Sequence, residues 1–345
     1  MQMKTNSGRF FEDYTVGQVI EHAVPRTLSG GERALYHALY PARHALYSSD
    51  EFAENCGLAA APMDDLIAFH TVFGKTVPDI SLNAVANLGY AEGRFLKPVF
   101  AGDTLRSVSE VIGVKQNSNG KSGVVWVRTK GLNQHGETVL EFVRWVMLRK
   151  GDLDAPAPET VIPHLSDVVD PNTLVLPKGL EFLRYDFGLA GEEHRFADYE
   201  IGEKIDHVDG MTIEDAEHMM ATRLWQNTAK VHFDATNRAD GKRLIYGGHV
   251  ISIARALSFN GLANAQMIAA INGGSHANPC FAGDTVRAWS EVLDKSATHA
   301  PGVGAVRLRL VAVKDGAPEF ALKDHAGKYH SDVLLDLDYW ALMPM

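Results

Sequence analysis

The sequence of 345 residues predicts an α+β fold in which one structural unit occurs twice in tandem. An internal repeat is the first observation, because PVFAGDTLRSVSEV at 98–111 returns as PCFAGDTVRAWSEV at 279–292. The second is that FEDYTVGQVIEHAVPRTLS at 11–29 is matched by FADYEIGEKIDHVDGMTIE at 196–214, so both blocks keep their order. The third is that each copy places a long apolar helix before several alternating strands, a pattern that buries one helix against one sheet face. A duplicated unit of about 150 residues has the usual size of one domain.

The elements of each copy follow the same order along the chain. A short helix is predicted at 30–40 and at 214–224, and a longer apolar helix at 64–75 and at 248–262. Alternating, β-branched runs then predict strands at RSVSEVIGV, GVVWVRTKGL and TVLEFVRWVML, and at RAWSEVLD, AVRLRLVAV and DVLLDLDYWALM. We divide the chain into a first domain at 1–150, a proline-rich connector at 151–185 that runs along the surface, and a second domain at 186–345.

Charge, hydropathy and cysteine spacing indicate which partners and which cellular compartment to expect. The formal net charge is −10, which argues against nucleic acid or an anionic membrane surface as a partner. The amino terminus lacks the apolar core of a signal peptide, and no apolar run approaches the roughly 18–20 residues of a membrane span. Cys56 and Cys280 lie far apart and outside any CxxC pattern, which favours a reducing compartment. We expect a cytoplasmic protein.

The sequence lacks the common signatures of cofactor sites. No three histidines or carboxylates have zinc-ligand spacing, and neither a P-loop nor a GxGxxG pattern occurs. We therefore expect no metal and no other cofactor. His22 and His207 occupy matched places in the two copies, which favours a structural role for both.

The repeat blocks, together with QNTAKVHFD at 226–234, resemble those of the MaoC-like dehydratases. The resemblance extends over nearly the whole chain, including the connector and 86–103. It implies a double hotdog fold, in which two curved antiparallel sheets each wrap around a central helix and join edge to edge. It also implies a hydro-lyase that acts on a CoA thioester and forms a homodimer. Because the resemblance covers nearly the whole chain, it further implies that the reaction is the reversible hydration of mesaconyl-CoA to β-methylmalyl-CoA.

The family motif for (R)-type enoyl-CoA hydration is an Asp followed five residues later by a His. The second copy has Asn227 and His232 at these places, whereas the first copy has Ala42 and Tyr47, so we expect the first copy to be catalytically silent. An amide exchanges no proton near neutral pH. We therefore assign proton transfer to His232 and the holding of the hydroxyl oxygen to Asn227, with Asp234 as a further candidate acid.

The sequence LIYGGH at 244–249 precedes the long helix of the second copy. Free N–H groups at a helix start can stabilise the thioester oxygen as enolate charge develops, and Gly247 and Gly248 allow close approach. Close packing of helix on sheet is the alternative explanation for these glycines. The first copy has APMDD at 61–65, whose carboxylates would repel an enolate.

The silent copy is expected to bind substrate, because the resemblance places the CoA tunnel between the copies. Lys97 is a partner for a CoA phosphate or the acyl carboxylate. That free carboxylate needs a cation if it is buried, and Lys230, Arg238, Arg43 and Arg94 remain open for this role. His276 precedes a turn and is a further site candidate. The expected contacts are Pro62, Met63, Asp64, Asp65, Val85, Ala86, Asn87, Leu88, Leu96 and Lys97.

Three alternatives to this function stay open. One is a MaoC-type hydratase for another enoyl-CoA. A second is a hotdog thioesterase, for which Asp64 or Asp65 would supply the carboxylate. The third is a non-catalytic acyl-CoA-binding protein, since Asn227 is the kind of replacement found in a decayed site.

Overall fold

The structure is a computed structural model that describes residues 4–315 and 320–345. The predicted domain ranges also include 1–3 and 316–319, which lie outside the described residues. The strands of the first half are β1 (Val19–Thr27), β2 (Ala84–Phe95), β3 (Thr104–Gln116), β4 (Ser122–Leu132) and β5 (Thr138–Arg149). Those of the second half are β6 (Lys204–Thr212), β7 (Met267–His276), β8 (Thr285–Ala297), β9 (Val303–Lys314) and β10 (Val333–Pro344).

The α-helices occur mainly before the strand-rich part of each half. The described residues of the first half contain α1 (Gly30–Leu39), α2 (Ala45–Ser48), α3 (Asp50–Asn55) and α4 (Asp65–Thr76). The remaining helices are α5 (Phe187–Ala190), α6 (Asp215–Leu224), α7 (Lys230–Phe233), α8 (Gly247–Leu257) and α9 (Phe259–Leu262). No helix in 4–315 or 320–345 is both long enough and apolar enough to cross a membrane.

All ten strands belong to one antiparallel sheet in the order β1-β3-β4-β5-β2-β7-β10-β9-β8-β6. The first five positions come from the first half and the last five from the second. The two halves meet where β2 pairs with β7, with Tyr90 opposite Gly274 and Arg94 opposite Ala270. The predicted edge-to-edge union of two sheets is confirmed.

Each half of the sheet curves around one buried helix. Every residue of α4 is buried, as is α8 after its first residue, and apolar side chains of both join a common core. Burial of one Leu, Ile or Phe side chain contributes about 1.5–3 kcal/mol, so these two helices hold the sheet in its curved form. One sheet wrapped around one central helix in each half confirms the double hotdog fold.

The two halves repeat details of their hydrogen bonding. His22 on β1 pairs through Nε2 with Ser109 Oγ at 2.8 Å, and His207 on β6 pairs through Nε2 with Ser290 Oγ at 2.8 Å. These serines occupy matched places in the repeated block. Both imidazoles thus link an edge strand to its neighbour, the structural role that their matched positions predict.

One prediction about the second half is wrong in detail. The predicted helix 248–262 ends at Leu257, and α9 is a separate short element. Asn260 leaves the helical region with ψ 103°, and Gly261 follows with φ 93°, in the left-handed region that favours glycine. The apolar periodicity continues across this break, so it does not mark where the helix ends.

Most of the connector is exposed, but a few of its apolar side chains are buried. Val169, Leu180, Phe182 and Tyr185 are buried in a second core cluster with Trp340 of β10 and with residues of α2 and α3. This cluster covers the side of β10 opposite α8, because Trp340 and its neighbour Tyr339 belong to different clusters. These side chains therefore attach the connector to the core.

Candidate active site

One cavity of about 280 Å³ lies between the two halves and is lined by both. Its walls are mostly apolar, with a few polar side chains that converge on the same space, as is typical of small-molecule sites. The first half contributes Phe73, Val77, Ser81, Ala84, Val85, Ala86, Asn87, Tyr90 and Arg144. The second half contributes Asn227, Ala229, Val231, His232, Leu244, Ile245, Tyr246, Gly247, Val250, His276, Ala277, Asn278, Pro279, Cys280 and Leu334.

His232 lies on α7 with its imidazole in the cavity wall. Its Nδ1 is 2.7 Å from the carbonyl oxygen of Leu244, which can only accept, so Nδ1–H is the donor. In the neutral imidazole Nε2 then carries the lone pair. Burial lowers the pKa of His232 to about 4, although the Leu244 carbonyl opposes this shift. At neutral pH the side chain is therefore an unprotonated base.

Asn227 is buried beside the cavity at the end of α6. The chain turns sharply there, since Gln226 has φ 56° and the backbone N–H of Asn227 donates to the Thr222 carbonyl at 2.9 Å. Its side-chain Oδ1 accepts the backbone N–H of Ala229 at 3.2 Å. This contact fixes the amide so that Nδ2 is its remaining donor, suited to hold an oxygen in the cavity.

Helix α8 begins at the cavity with two glycines. The backbone N–H groups of Gly247 and Gly248 have no acceptor among the described residues, and no acidic residue lies in the first turn. The preceding N–H, that of Tyr246, donates to His218 Nε2 at 2.9 Å, which fixes the start of the helix. Only Gly247 of the two glycines lines the cavity, so it is the better-placed donor for a developing oxyanion.

The imidazole of His276 lies directly against Gly247. A Cβ on Gly247 would come within 2.4 Å of His276 Cε1, so only glycine allows this packing. Tyr90 from the first half holds His276 through a hydroxyl–Nε2 contact of 3.1 Å. Burial lowers the pKa of His276 to about 4, with a further contribution from His232. His276, a minor candidate in the sequence, is thus a wall of the cavity beside the candidate oxyanion donor.

We predict that Gly247→Ala lowers kcat at least about tenfold, because the added methyl forces the His276 ring away from the helix start. Gly30→Ala is the matched control, since Gly30 also opens a helix and its added methyl meets no atom within 4 Å. Steady-state rates of both variants and their melting temperatures check this. Equal rates for Gly247→Ala and the unaltered protein would show that the close packing at Gly247 has no role in turnover.

The predicted contacts of the first half separate into groups. Val85, Ala86 and Asn87 line the cavity, and neither polar side-chain atom of Asn87 has a partner among the described residues. Leu88, the next residue, is partly exposed and outside the lining. Pro62, Met63 and Asp64 are buried away from the cavity, and Asp65, Leu96 and Lys97 line a separate small cleft.

The acidic residues at the start of α4 have local partners. Asp64 caps the helix by accepting the N–H of Leu66 at 2.9 Å. Asp65 accepts the Tyr47 hydroxyl and, at 2.7 Å, the N–H of Ile268 on β7. Burial raises the pKa of Asp64 to about 6 and that of Asp65 to about 7. Neither residue lines the cavity that holds His232, so the thioesterase alternative finds neither of its proposed carboxylates there.

The cations proposed from sequence do not line the cavity. Lys97 pairs with Glu137 at 2.5 Å, and Asp234, the proposed extra acid, is exposed and accepts from Thr236. The other four have partners elsewhere: Lys230 contacts Asn83, Arg238 pairs with Asp240, Arg43 lies over Phe259, and Arg94 donates to Thr173.

The cation that does line the cavity is Arg144 of β5, which sequence reasoning missed. A signal for it existed in the strand TVLEFVRWVML, where Arg144 shares the inward face with Phe142 and Val146. A charged residue at an inward position of an alternating strand is unusual and indicates either a paired charge or a ligand site.

Comparison with known proteins identifies the family. A family model described as mesaconyl-CoA hydratase matches residues 2–323. The chain is 74% identical to the mesaconyl-CoA hydratase of Cereibacter sphaeroides over 342 residues, 99% of this chain and 100% of that protein. It is 57% identical to the beta-methylmalyl-CoA dehydratase of Chloroflexus aurantiacus, with 100% of this chain and 99% of that protein covered.

A crystal structure of a MaoC domain dehydratase from Chloroflexus aurantiacus has the same fold. It superimposes with a TM-score of 0.97 at 56% identity and covers 99% of either chain. The resemblance to MaoC-like dehydratases found in the sequence is confirmed, and the relatives are named as a hydratase and a dehydratase, which are hydro-lyases. The chain therefore belongs to the mesaconyl-CoA hydratase family.

Proposed function

We propose that this protein reversibly adds water to mesaconyl-CoA to give β-methylmalyl-CoA. The names of relatives that match the chain over nearly its full length support the substrate. The cavity carries the proposal for this chain, because it brings the free Nε2 of His232, the amide of Asn227 and the start of α8 together between the two halves. The acyl group would occupy this cavity, and the much larger CoA would extend beyond it.

In the dehydration direction His232 Nε2 removes the α-proton of β-methylmalyl-CoA. The electron pair of the broken C–H bond moves to the thioester oxygen, where the Gly247 N–H and the helix dipole stabilise the enolate. The enolate then collapses to the C=C bond and expels the β-hydroxyl, which Asn227 holds. That oxygen takes the proton back from His232 and leaves as water. Hydration runs through the same steps in reverse order.

The first half supports this chemistry by shaping the acyl end of the site. Val85, Ala86 and Asn87 on β2 form one wall, and the unpartnered amide of Asn87 can bond to a polar group of the substrate. Pro62, Met63, Asp64, Asp65, Leu88, Leu96, Lys97 and Gly248 lie outside the lining and stay predictions for contacts with CoA or for structural support.

The direct test is to mix the protein with mesaconyl-CoA and follow the near-ultraviolet absorbance of the conjugated thioester. We expect absorbance to fall as the double bond is hydrated and to rise when β-methylmalyl-CoA is supplied instead. A parallel assay with a thiol reagent detects thioester cleavage. Faster hydration of crotonyl-CoA than of mesaconyl-CoA would indicate a hydratase for another enoyl-CoA. Release of free CoA thiol, or binding of mesaconyl-CoA without turnover, would overturn the proposal.

The domain boundaries at 150 and 185, the cytoplasmic location and the homodimer stay predictions of the sequence. The net charge of −10 supports the expectation that neither nucleic acid nor a membrane surface is a partner.

A further inference from the structure

Arg144 is a fully buried cation with no acidic partner. Its side chain lines the cavity that also holds His232, and no described carboxylate lies within 4 Å of it. A charge in such a place is costly unless it is paired, so an isolated buried guanidinium needs an explanation. Burial lowers its pKa to about 10, which leaves it charged at neutral pH.

The neighbours of Arg144 position it but do not neutralise it. Nη2 donates to Thr76 Oγ1 at 2.7 Å, and weaker contacts of 3.4 and 3.5 Å reach Ser81 Oγ. The guanidinium carbon lies 4.2 Å from the centre of the Phe73 ring. Nε has no acceptor among the described residues. These neutral groups hold the fork in one orientation, as a binding site for an anion requires.

A purely structural role accounts for only part of this arrangement. Thr76 ends α4, and a cation at the C-terminal end of a helix is favoured by the helix dipole. That interaction leaves the Nε–H unsatisfied, and it does not require the side chain to form part of the cavity wall. A carboxylate bound in the cavity would supply the missing negative charge.

The position of Arg144 also suits the shape of the substrate. The Phe73 ring below the guanidinium lies 5.8 Å from the Tyr246 ring, and Tyr246 lies 5.8 Å from the His232 ring. The cation and the base thus belong to opposite halves and are separated by two aromatic rings along one wall. In mesaconyl-CoA the free carboxylate is attached to the β-carbon, on the side away from the thioester, so it would extend from the base toward the first half.

We propose that Arg144 binds the free carboxylate of the acyl group and selects dicarboxylic acyl-CoA substrates over monocarboxylic ones. The planar fork of arginine matches a carboxylate in a way that a lysine ammonium does not. This inference rests on the proposed function, which supplies the substrate. Its test measures binding and not turnover, so a wrong inference and a wrong proposed function give different results.

The experiment compares succinyl-CoA with butyryl-CoA, two saturated thioesters of the same chain length of which only the first ends in a carboxylate. Isothermal titration of the full chain should show tighter binding of succinyl-CoA. In Arg144→Met we expect the affinity for succinyl-CoA to fall about 10- to 100-fold, the range for a charged hydrogen bond, with butyryl-CoA almost unchanged. Arg144→Lys should restore only part of the preference.

Arg94→Met is the matched control, because Arg94 lies on the adjoining strand and its guanidinium contacts Thr173 outside the cavity. It should keep the full preference for succinyl-CoA. Equal losses for both thioesters in Arg144→Met, or no loss, would overturn the inference. If Arg144→Met does not fold, the unaltered protein still decides, since equal affinity for both thioesters would mean that no cation recognises the carboxylate. Failure of the proposed function would appear separately, as absent turnover of mesaconyl-CoA.

Discussion

Replacing His232 with Ala is expected to lower kcat for the hydration of mesaconyl-CoA by about a hundredfold or more, the usual contribution of a positioned general base. The neutral imidazole, fixed by the Leu244 carbonyl with Nε2 free, lines the same cavity as Asn227. Asn227 cannot replace it, because an amide neither accepts nor releases a proton near neutral pH. Loss of the imidazole therefore removes the proton acceptor and leaves oxyanion stabilisation and binding in place.

The measurement is a steady-state comparison of kcat and KM, because loss of a catalytic base lowers kcat while binding of the acyl-CoA is retained. His207→Gln is the matched control: it is an imidazole of the same half, bonded to Ser290 and to the Asn260 carbonyl away from the cavity. We expect this variant to lose stability but to keep kcat per folded molecule. Unchanged turnover in His232→Ala would remove this residue from the mechanism.

Features repeated in the chain were predictable, because the duplication shows them twice. The blocks at 98–111 and 279–292 indicate two equivalent units, and the alternating strands within each unit give the sheet. The edge-to-edge union of the two sheets followed from the resemblance, not from the residues. Which strands form it, β2 and β7, was not predicted, since a single sequence does not specify which edges meet. The burial of a few apolar side chains of the connector was missed for the same reason: they pack in one cluster with Trp340, more than a hundred positions later.

The residues of the site also divide into those that the sequence connects and those that only the fold brings together. His232, Asn227 and Gly247 lie within 21 residues of one another in the sequence, in one motif and one helix start, and the structure places all three at one cavity. Arg144, Tyr90 and His276 reach that cavity from distant strands, so spacing alone does not connect them. The same applies to Lys97, which the sequence suggested as a partner for a CoA phosphate or the acyl carboxylate but which pairs with Glu137, 40 residues later.

Mild acid is expected to unfold this protein, because many of its histidines are buried in the neutral state. Burial lowers the pKa of His207, His232 and His276 to about 4 and that of His70, His218 and His249 to about 3, and it holds the pKa of His44 well below its ordinary value. In the unfolded chain each returns to about 6.5 and takes up a proton as the pH falls. The unfolded state then binds more protons, so the free energy of unfolding decreases as the pH is lowered.

Two buried carboxyls oppose this trend. The raised pKa values of Asp64 and Asp65 mean that their folded forms bind protons between about pH 7 and 4, where the unfolded forms do not. Seven imidazoles outweigh two carboxyls, and each net proton changes the free energy of unfolding by about 1.4 kcal/mol per pH unit. Because domains are typically stable by only about 5–15 kcal/mol, we expect acid unfolding near pH 5.

Urea titrations followed by circular dichroism at a series of pH values measure this dependence. The free energy of unfolding should fall steeply from about pH 6.5 toward pH 5, in the window between the unfolded and folded pKa values of the histidines. His70→Gln should make the slope shallower by about 1.4 kcal/mol per pH unit, whereas Asp65→Asn should make it steeper by a similar amount. A flat or rising stability over this window would mean that the buried imidazoles are charged in the folded state. The neutral form of His232 that the proposed proton transfer requires would then be lost with them.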